Sequence, residues 1–490
     1  MIVFFRAVSF VLAVLYLTAC GSETEMVAES VESPPNILFV MLDDMGKEWV
    51  SAYGSESAST PAIDALARDG MRFDNVWSNP QCTPTRLTLL TGQYPFRNGW
   101  VNHWDVPRWG HAYFDWREYP SLAGTLKSAG YATVAAGKWQ INDFRIEPEA
   151  MRRHGFDSYA MWTGYEEGVE ASAERYWDPY IHTESGSKTY EGEYGTDIFV
   201  ARLSEFISEH KDRPWFAYFP LALPHPPYVT TPAQPDIGDD EQARYRAMIE
   251  YGDYTVGQLT SLIDELGLRD DTIIIVTGDN GSPKARQATM NGRTITGGKS
   301  LTSENGIAVP FVVRWPSRIA GGQSTDTLVD FTDMLPTFAD LAGAELPTEH
   351  VIDGQSLAPY LRGDADDGPR SWIMAMGGKN EAAVSDDGVE NQYVFRDRVI
   401  RDKRYKLYVA ADPARRAEKL VDLQSDPDEQ NNLLDNDDPA VREAYSRLMA
   451  VAESFPERDN DPQYTRRAAN YWDVDVTVDA QVWKLTAGEE

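Results

Sequence analysis

Four apolar runs in this chain stop at charged or coordinating residues, and that pattern constrains the fold more than any other feature. "NILFVML" (36–42) leads into Asp43-Asp44, "YATVAAG" (131–137) into Lys138, "WFAYFPLALP" (215–224) into His225 and "TIIIVTG" (272–278) into Asp279-Asn280. A fifth run, "FVVRW" (311–315), stops at Pro316. Short continuous apolar runs bounded by polar or turn residues read as strands buried on both faces.

Helical patterns lie between the runs. "TPAIDALARDG" (60–70) offers Thr60 as N-cap, Pro61 at the first helical position and Gly70 as C-cap. "SLAGTLKSAG" (121–130) and "YTVGQLTSLIDELG" (254–267) have similar spacing and also end in glycine. Strands alternating with helices predict an α/β fold, a mostly parallel central sheet with helices on both faces. Ligands of such sheets bind beyond the carboxyl ends of the strands, so the groups after the four runs would converge on one site. No repeat of 20–50 residues is visible, which excludes a solenoid or propeller.

The pattern changes after about residue 370. "YVFRDRVIRDKRYKLYVA" (393–410) alternates like antiparallel strands and "AVREAYSRLMAVAESF" (440–455) reads as a helix. The expected organisation is therefore a catalytic domain over 36–370 and a smaller C-terminal α+β subdomain with an antiparallel sheet and a polar tail over 371–490.

The N-terminus reads as a targeting segment. After Arg6 the apolar run "AVSFVLAVLYLTAC" is too short to span a bilayer and has the character of a signal-peptide core. It ends in Leu17-Thr18-Ala19-Cys20, which resembles the lipobox of bacterial lipoproteins. That resemblance implies a signal peptide over 1–19, lipid on Cys20, and a polar tether over 20–35. The protein would then be exported and lipid-anchored to a bacterial membrane, at the outer membrane or cell surface, and otherwise periplasmic. With Cys20 lipidated, Cys82 has no disulfide partner in a compartment that favours disulfides, so its thiol is either buried and inert or chemically special.

The net charge of −32 argues against nucleic acid as a partner and means that an anionic substrate needs a local cationic pocket. Asp43, Asp44, Asp279 and Asn280 are hard oxygen ligands suited to Ca2+ or Mg2+. Clustered carboxylates repel one another without a cation. Lys138, His225 and Lys299 (in "GGKSLTSENG") could surround an oxyanion beside that metal, and the prolines of "LPHPP" would stiffen the backbone around His225. Cys82 opens a short helical segment with Pro84 in its first turn and Gly92 at its end. At a helix N-terminus the field would lower a thiol pKa or stabilise an alkoxide-like nucleophile, and Arg86 would lie one turn on.

Cys82-Thr83-Pro84-Thr85-Arg86, continuing to "LTLLTGQYPFRNG", resembles the signature of type I sulfatases, formylglycine-dependent members of the alkaline-phosphatase-like superfamily. With Thr91-Gly92, the acidic pairs and the lysines in family order, the resemblance covers roughly residues 35–435, because "KLVDLQSDPDEQNNLL" (419–434) also resembles the family's C-terminal region. It implies that a maturation enzyme oxidises Cys82 to formylglycine, an aldehyde whose hydrate is the nucleophile. One hydroxyl of the hydrate would attack sulfur and expel the alcohol; the second would then let the geminal oxygen expel sulfate and regenerate the aldehyde. It also implies that Asp43, Asp44, Asp279, Asn280 and modified residue 82 hold one divalent cation, usually Ca2+ and less often Mg2+. Arg86 would support the nucleophile, Lys138 and Lys299 would bind sulfate oxygens, and His225 would assist the leaving group by a proton or a hydrogen bond.

One position departs from the pattern. The family usually reads Gly-Lys-Trp-His where this chain has Gly137-Lys138-Trp139-Gln140. Glutamine can hydrogen-bond the hydrate but is no base at neutral pH, so either a water, His225 or Asp143 takes that role, or turnover is slow, or this is a branch with its own arrangement, the reading favoured by every other key position being intact. Residues 99–120 carry four tryptophans and two histidines. Trp104 could stack on sugar rings while Arg97, His103 and Arg108 touch anionic groups; the alternative is that these rings pack the loops. An exported, anchored sulfatase points to a sulfated glycan as substrate. The rivals are a phosphate or phosphonate ester hydrolase of the same fold, against which Asp279-Asn280 speaks because those relatives typically have Asp-His, and a glycan-binding lipoprotein that has lost catalysis.

Overall fold

The structure, a computed structural model, describes residues 33–101, 112–142, 144, 147–162, 175–377, 382–385, 388–391, 394–461 and 464–466. Its first strand, β1 (Asn36–Leu42), shows why the apolar runs carry no alternation. Ile37, Phe39 and Met41 enter one apolar core while Leu38, Val40 and Leu42 enter another on the opposite face. All six are fully buried. At roughly 1.5–3 kcal/mol for each large side chain removed from water, such a strand is stable only at the centre of a sheet covered on both sides.

The remaining strands of that sheet are β2 (Met71–Trp77), β3 (Ala132–Lys138), β4 (Ser158–Trp162), β5 (Tyr180–Thr183), β6 (Gly186–Thr189), β7 (Trp215–Pro220), β8 (Thr272–Gly278), β9 (Phe311–Arg314) and β10 (Gln323–Asp330). They form a mixed ten-stranded sheet in the order β10-β2-β9-β8-β1-β7-β3-β4-β5-β6. The five central strands, β8-β1-β7-β3-β4, are parallel. β9 runs antiparallel to both neighbours, and β5 and β6 close the far edge as an antiparallel hairpin. Helices Cys82–Thr91, Leu122–Ser128 and Met334–Ala342 contribute to the first core, with Phe338 edge-on to Phe39 at 5.9 Å. Helices Pro61–Arg68, Gly195–Glu209 and Glu241–Glu265 contribute to the second.

The C-terminal region adds a four-stranded antiparallel sheet of Ile373–Met376, Arg398–Arg401, Tyr405–Val409 and Ala417–Asp422, with helix Pro439–Ser454 against it. Ile400, Leu407 and Leu448 belong to the same apolar core as Phe39. A buried ion cluster reinforces the seam. The fully buried Lys406 ammonium lies 3.2 Å from Glu304 and 2.7 Å from Glu429, over the ring of Trp77 at 4.9 Å. Glu304 sits five residues beyond Lys299 in sequence, so the small sheet helps to hold the loop that carries that lysine.

Two local expectations are corrected. The helix expected over 254–267 starts at Glu241, where Asp240 caps it by accepting from the Ala243 backbone N–H at 2.9 Å. Gly70 is not a helix cap, since Asp69 fills that position; a Cβ at Gly70 would lie 2.1 Å from the Val313 carbonyl oxygen, so the glycine permits close strand approach.

Gly137 does similar work one residue before Lys138. Its φ is +133° and a Cβ there would lie 2.1 Å from the Pro220 carbonyl oxygen, where β3 and β7 deliver their site residues. Gly137→Ala combines a disfavoured backbone conformation with a steric clash. We expect it to lower stability by about 2 kcal/mol or more, read as a fall in the urea midpoint at unchanged m-value.

Candidate active site

The backbone ladder continues past the strand ends and fixes the acidic residues in place. The Asp43 N–H donates to Leu223 O at 2.9 Å, and the Asp279 N–H donates to Leu42 O at 2.9 Å. Asp44 then turns into the left-handed region with φ +63°, its N–H donating to Asp279 Oδ1 at 3.0 Å and its carbonyl accepting from the Tyr245 hydroxyl at 2.5 Å. Asn280 Nδ2 donates to Asp44 Oδ1 at 2.8 Å. The carboxylates expected at the ends of β1 and β8 do meet.

Cys82 approaches them from a different element. Its helix, Cys82–Thr91, is buried along its whole length, begins after Gln81 and ends at Gly92 with φ +65°. Asn79 clamps the first turns: its N–H donates to Thr85 Oγ1 and its Nδ2 to Thr88 Oγ1, both at 3.0 Å. This places Cys82 Sγ 3.3 Å from Asp43 Oδ1 and 3.9 Å from Asp44 Oδ1. Arg86, one turn on, donates through Nη2 to Asp43 at 3.2 Å and Asp279 at 2.8 Å, and through Nη1 to the Lys138 carbonyl at 2.9 Å. One guanidinium therefore joins the helix to the ends of β1, β8 and β3.

The cations complete the cluster. Lys138 Nζ sits on Asp43 Oδ2, and Lys299 Nζ lies 2.6 and 2.8 Å from the two Asp44 oxygens. His225 Nε2 lies 3.9 Å from Asp44 Oδ2. Side chains of Arg86, Lys138 and the aspartates are essentially inaccessible, whereas those of His225 and Lys299 are each 21 % exposed and mark the solvent side.

Burial would push the Asp43 carboxyl up, but Lys138, Arg86 and Lys299 hold it well below the usual carboxylate range. Burial, with Asp43 as a like charge, raises Asp44 despite Lys299, and the same causes push Asp279 up to about 6 despite Arg86. Burial, then Lys138 and Arg175, press His225 well below its ordinary value, so its ring is neutral. The Cys82 thiol is raised well above its ordinary value by burial and by Asp279 and Asp43. This overturns the expectation of an acidified thiol: desolvation and two adjacent carboxylates outweigh the field of the helix terminus.

The cluster has a donor set that could hold a metal ion. Asp43, Asp44, Cys82 and His225 each offer an atom within 4.8 Å of the others. The Asn280 side-chain oxygen Oδ1 is buried and accepts no hydrogen bond among the described residues, as suits an oxygen reserved for a cation.

Among the remaining candidates, Gln140 adopts φ +63° and its carbonyl oxygen lies 3.5 Å from the Thr83 hydroxyl, beside Cys82. The Arg97 guanidinium is chelated by Asp353 at 2.7 to 2.9 Å. Cys20, His103, Trp104, Arg108 and Asp143 lie outside the described residues. Two residues that sequence reasoning did not single out support the site: Tyr245 on the Asp44 carbonyl, and Arg175, whose Nη1 meets His225 Nδ1. Tyr245 lies on a helix whose apolar pattern could have flagged it; Arg175 sits in a polar stretch with no periodic signal.

The sulfatase family model matches residues 35–344, and the model of the N-sulphoglucosamine sulphohydrolase C-terminal region matches residues 298–453. The chain belongs to the sulfatase family. It is a sulfuric ester hydrolase of the alkaline-phosphatase-like superfamily. It is 30% identical to the N-acetylgalactosamine-6-sulfatase of Canis lupus familiaris, over 71% of this chain and 69% of that one. It is 27% identical to the ulvan-active sulfatase of Formosa agariphila, over 88% and 83%. The crystal structure of Ps i-CgsB in complex with k-i-k-neocarrahexaose superposes with a TM-score of 0.73 at 22% identity, covering 93% of this chain and 98% of that one.

In this sulfatase, Arg86→Leu would leave Asp43 and Asp279 buried beside each other without their shared counter-charge. We expect a loss of about 3–5 kcal/mol in urea unfolding, and a smaller loss for Arg86→Lys, which keeps the charge but not the fork.

Proposed function

We propose that this sulfatase removes sulfate esters from a sulfated carbohydrate, using formylglycine made from Cys82 and a bound Ca2+. The carrying observation is the position of Cys82: first residue of a buried helix, its sulfur on the Asp43 and Asp44 carboxylates, with its thiol kept protonated. A buried neutral thiol is a poor nucleophile, so the position makes chemical sense as a precursor. The hydrated aldehyde would supply two hydroxyls on one carbon, one to attack sulfur and one to release sulfate as the carbonyl re-forms.

Asp43, Asp44, Asp279, Asn280 and residue 82 would hold the cation, which would polarise a sulfuryl oxygen and favour the ionised nucleophile. An all-protein set of carboxylates and an amide oxygen suits Ca2+ better than Mg2+, which keeps several waters. Charge supports the reading. Arg86, Lys138 and Lys299 balance the three aspartates, so a divalent cation leaves the pocket positive within a chain of net charge −32. That is the local reversal a sulfate monoester anion requires. Lys138 and Lys299, now paired with Asp43 and Asp44, would be free to turn toward sulfate oxygens once those carboxylates held a cation. Arg86 supports residue 82, and His225 on the solvent side faces the leaving oxygen. Gln140 hydrogen-bonds the hydrate, leaving a water or His225 to accept the proton of the second step.

The carbohydrate substrate is supported by relatives named for action on a sulfated sugar and on ulvan. The lipobox-like end adds export, a lipid anchor on Cys20, and placement at the outer membrane or cell surface, with a formylglycine-generating enzyme as maturation partner.

The test begins with the mass of the peptide containing residue 82, from native cells or after co-expression with a maturation enzyme, together with sulfate release from a panel of sulfated glycans. Conversion of thiol to aldehyde, glycan desulfation, and a loss of more than about 10³-fold in Cys82→Ala are expected. An unmodified cysteine with no sulfate release sinks the reading, and preference for phosphonate esters would reassign the substrate. Separately, a chelator is expected to lower Tm, and Ca2+ at about 100-fold its Kd to restore about 2.7 kcal/mol, with Mg2+ restoring less.

A further inference from the structure

His225 is held by one side chain that nothing in the sulfatase reaction names. Arg175 is buried, its guanidinium carbon 4.1 Å over the ring of Trp162, and its Nη1 reaches both His225 Nδ1 and the Pro226 carbonyl oxygen, the latter at 2.8 Å. The same Nδ1 lies 2.7 Å from that carbonyl. An imidazole with one hydrogen can hold it on either nitrogen, so two arrangements compete. With the hydrogen on Nδ1, the ring donates to Pro226 O, Nε2 is a bare lone pair, and two N–H groups face each other across the contact with Arg175. With the hydrogen on Nε2, Arg175 donates to Nδ1 and to the carbonyl together.

The second arrangement is favoured. Guanidinium never accepts, and its hydrogen bonds are charge-assisted. Among the described residues Arg175 Nε is already buried without a partner, and losing the Nδ1 acceptor would leave Nη1 only the Pro226 carbonyl, shared with the ring N–H. We propose that Arg175 is a positioning residue that selects the tautomer of His225, fixing the ring hydrogen on Nε2, the nitrogen that faces Asp44 and the solvent side of the cluster. The inference rests on the reading that His225 faces the leaving oxygen. As the S–O bond to the alcohol breaks, its electron pair stays on that oxygen, and Nε2–H donates a hydrogen bond to it while remaining on the ring. Arg175 touches no reacting atom.

The first measurement is the 15N spectrum of the matured, metal-loaded enzyme labelled at histidine, with the His225→Ala variant assigning the signals. A bare Nδ1 and protonated Nε2 are expected, with Arg175→Met moving the hydrogen to Nδ1. A hydrogen on Nδ1 in the unsubstituted enzyme overturns the proposal whatever the substrate proves to be. The second measurement is kcat/KM for phenyl sulfates of graded leaving-group pKa. Arg175→Met should lose about 10²-fold on unsubstituted phenyl sulfate but under about 5-fold on 4-nitrophenyl sulfate, whose leaving oxygen needs little help. Its slope should match that of His225→Ala, the double variant should be no worse than His225→Ala alone, and Arg175→Gln, which restores an N–H donor, should recover the slope. An equal loss on every phenyl sulfate would mark Arg175 as merely structural and refute it. Failure of the enzyme to release sulfate from any of them would count against the catalytic reading, and the spectrum alone would then decide the tautomer.

Discussion

The Arg86 guanidinium is the interaction on which the rest of the site depends. Asp43 comes from β1, Asp279 from β8 and the Lys138 carbonyl from β3, and one side chain from a separate helix binds all three. Two buried carboxylates that close are tolerable only with a counter-charge between them, because desolvation and mutual repulsion both act against ionisation. Such a cluster adds little net stability, since its Coulombic gain mostly repays desolvation. What it supplies is registration. A helix shifted by one turn would present no guanidinium to the aspartates, and the same helix carries Cys82.

That constraint also explains why the pocket has the opposite character to the molecular surface. The chain is strongly acidic, yet its catalytic pocket gathers Arg86, Lys138 and Lys299 around the buried aspartates. The surface charge is solvated and screened within about 8 Å at physiological ionic strength, whereas the buried groups interact at low effective dielectric. A small number of buried charges therefore sets the potential at the reacting atoms.

The central strands and the groups after β1, β3, β7 and β8 were legible because a strand buried on both faces leaves an unbroken apolar run, and its end is marked where polarity returns. Cys82 and Arg86 were legible from the C-x-P-x-R motif. The partners of Arg86 were not, since contacts between residues 43, 86 and 279 depend on strand order, which no local pattern encodes. The Cys82 thiol follows the same rule: the helix terminus that would acidify it is local, while the carboxylates and the burial that reverse the effect are not. The apolar stripe of the Glu241–Glu265 helix begins at Tyr245 and only its first turn is polar, so its start was legible but missed, whereas β5 and β6 were hidden because hairpin edges carry mixed residues. Arg175 had no sequence signal at all. Its function comes from lying against the turn that carries His225 and Pro226.

Depth separates the tasks within the site. Cys82, Arg86, Lys138 and the aspartates are sealed at the bottom, while His225 and Lys299 reach solvent at the rim. Displacement at sulfur places nucleophile and leaving group on opposite sides of the reacting atom. On the proposed roles, with residue 82 below and His225 above, the sulfate group would enter first and the alcohol that carried it would stay at the rim. Recognition of that alcohol would then fall to the loops around the mouth. Such loops can change without unsettling the buried charges, which is how one catalytic floor serves differing sulfated substrates.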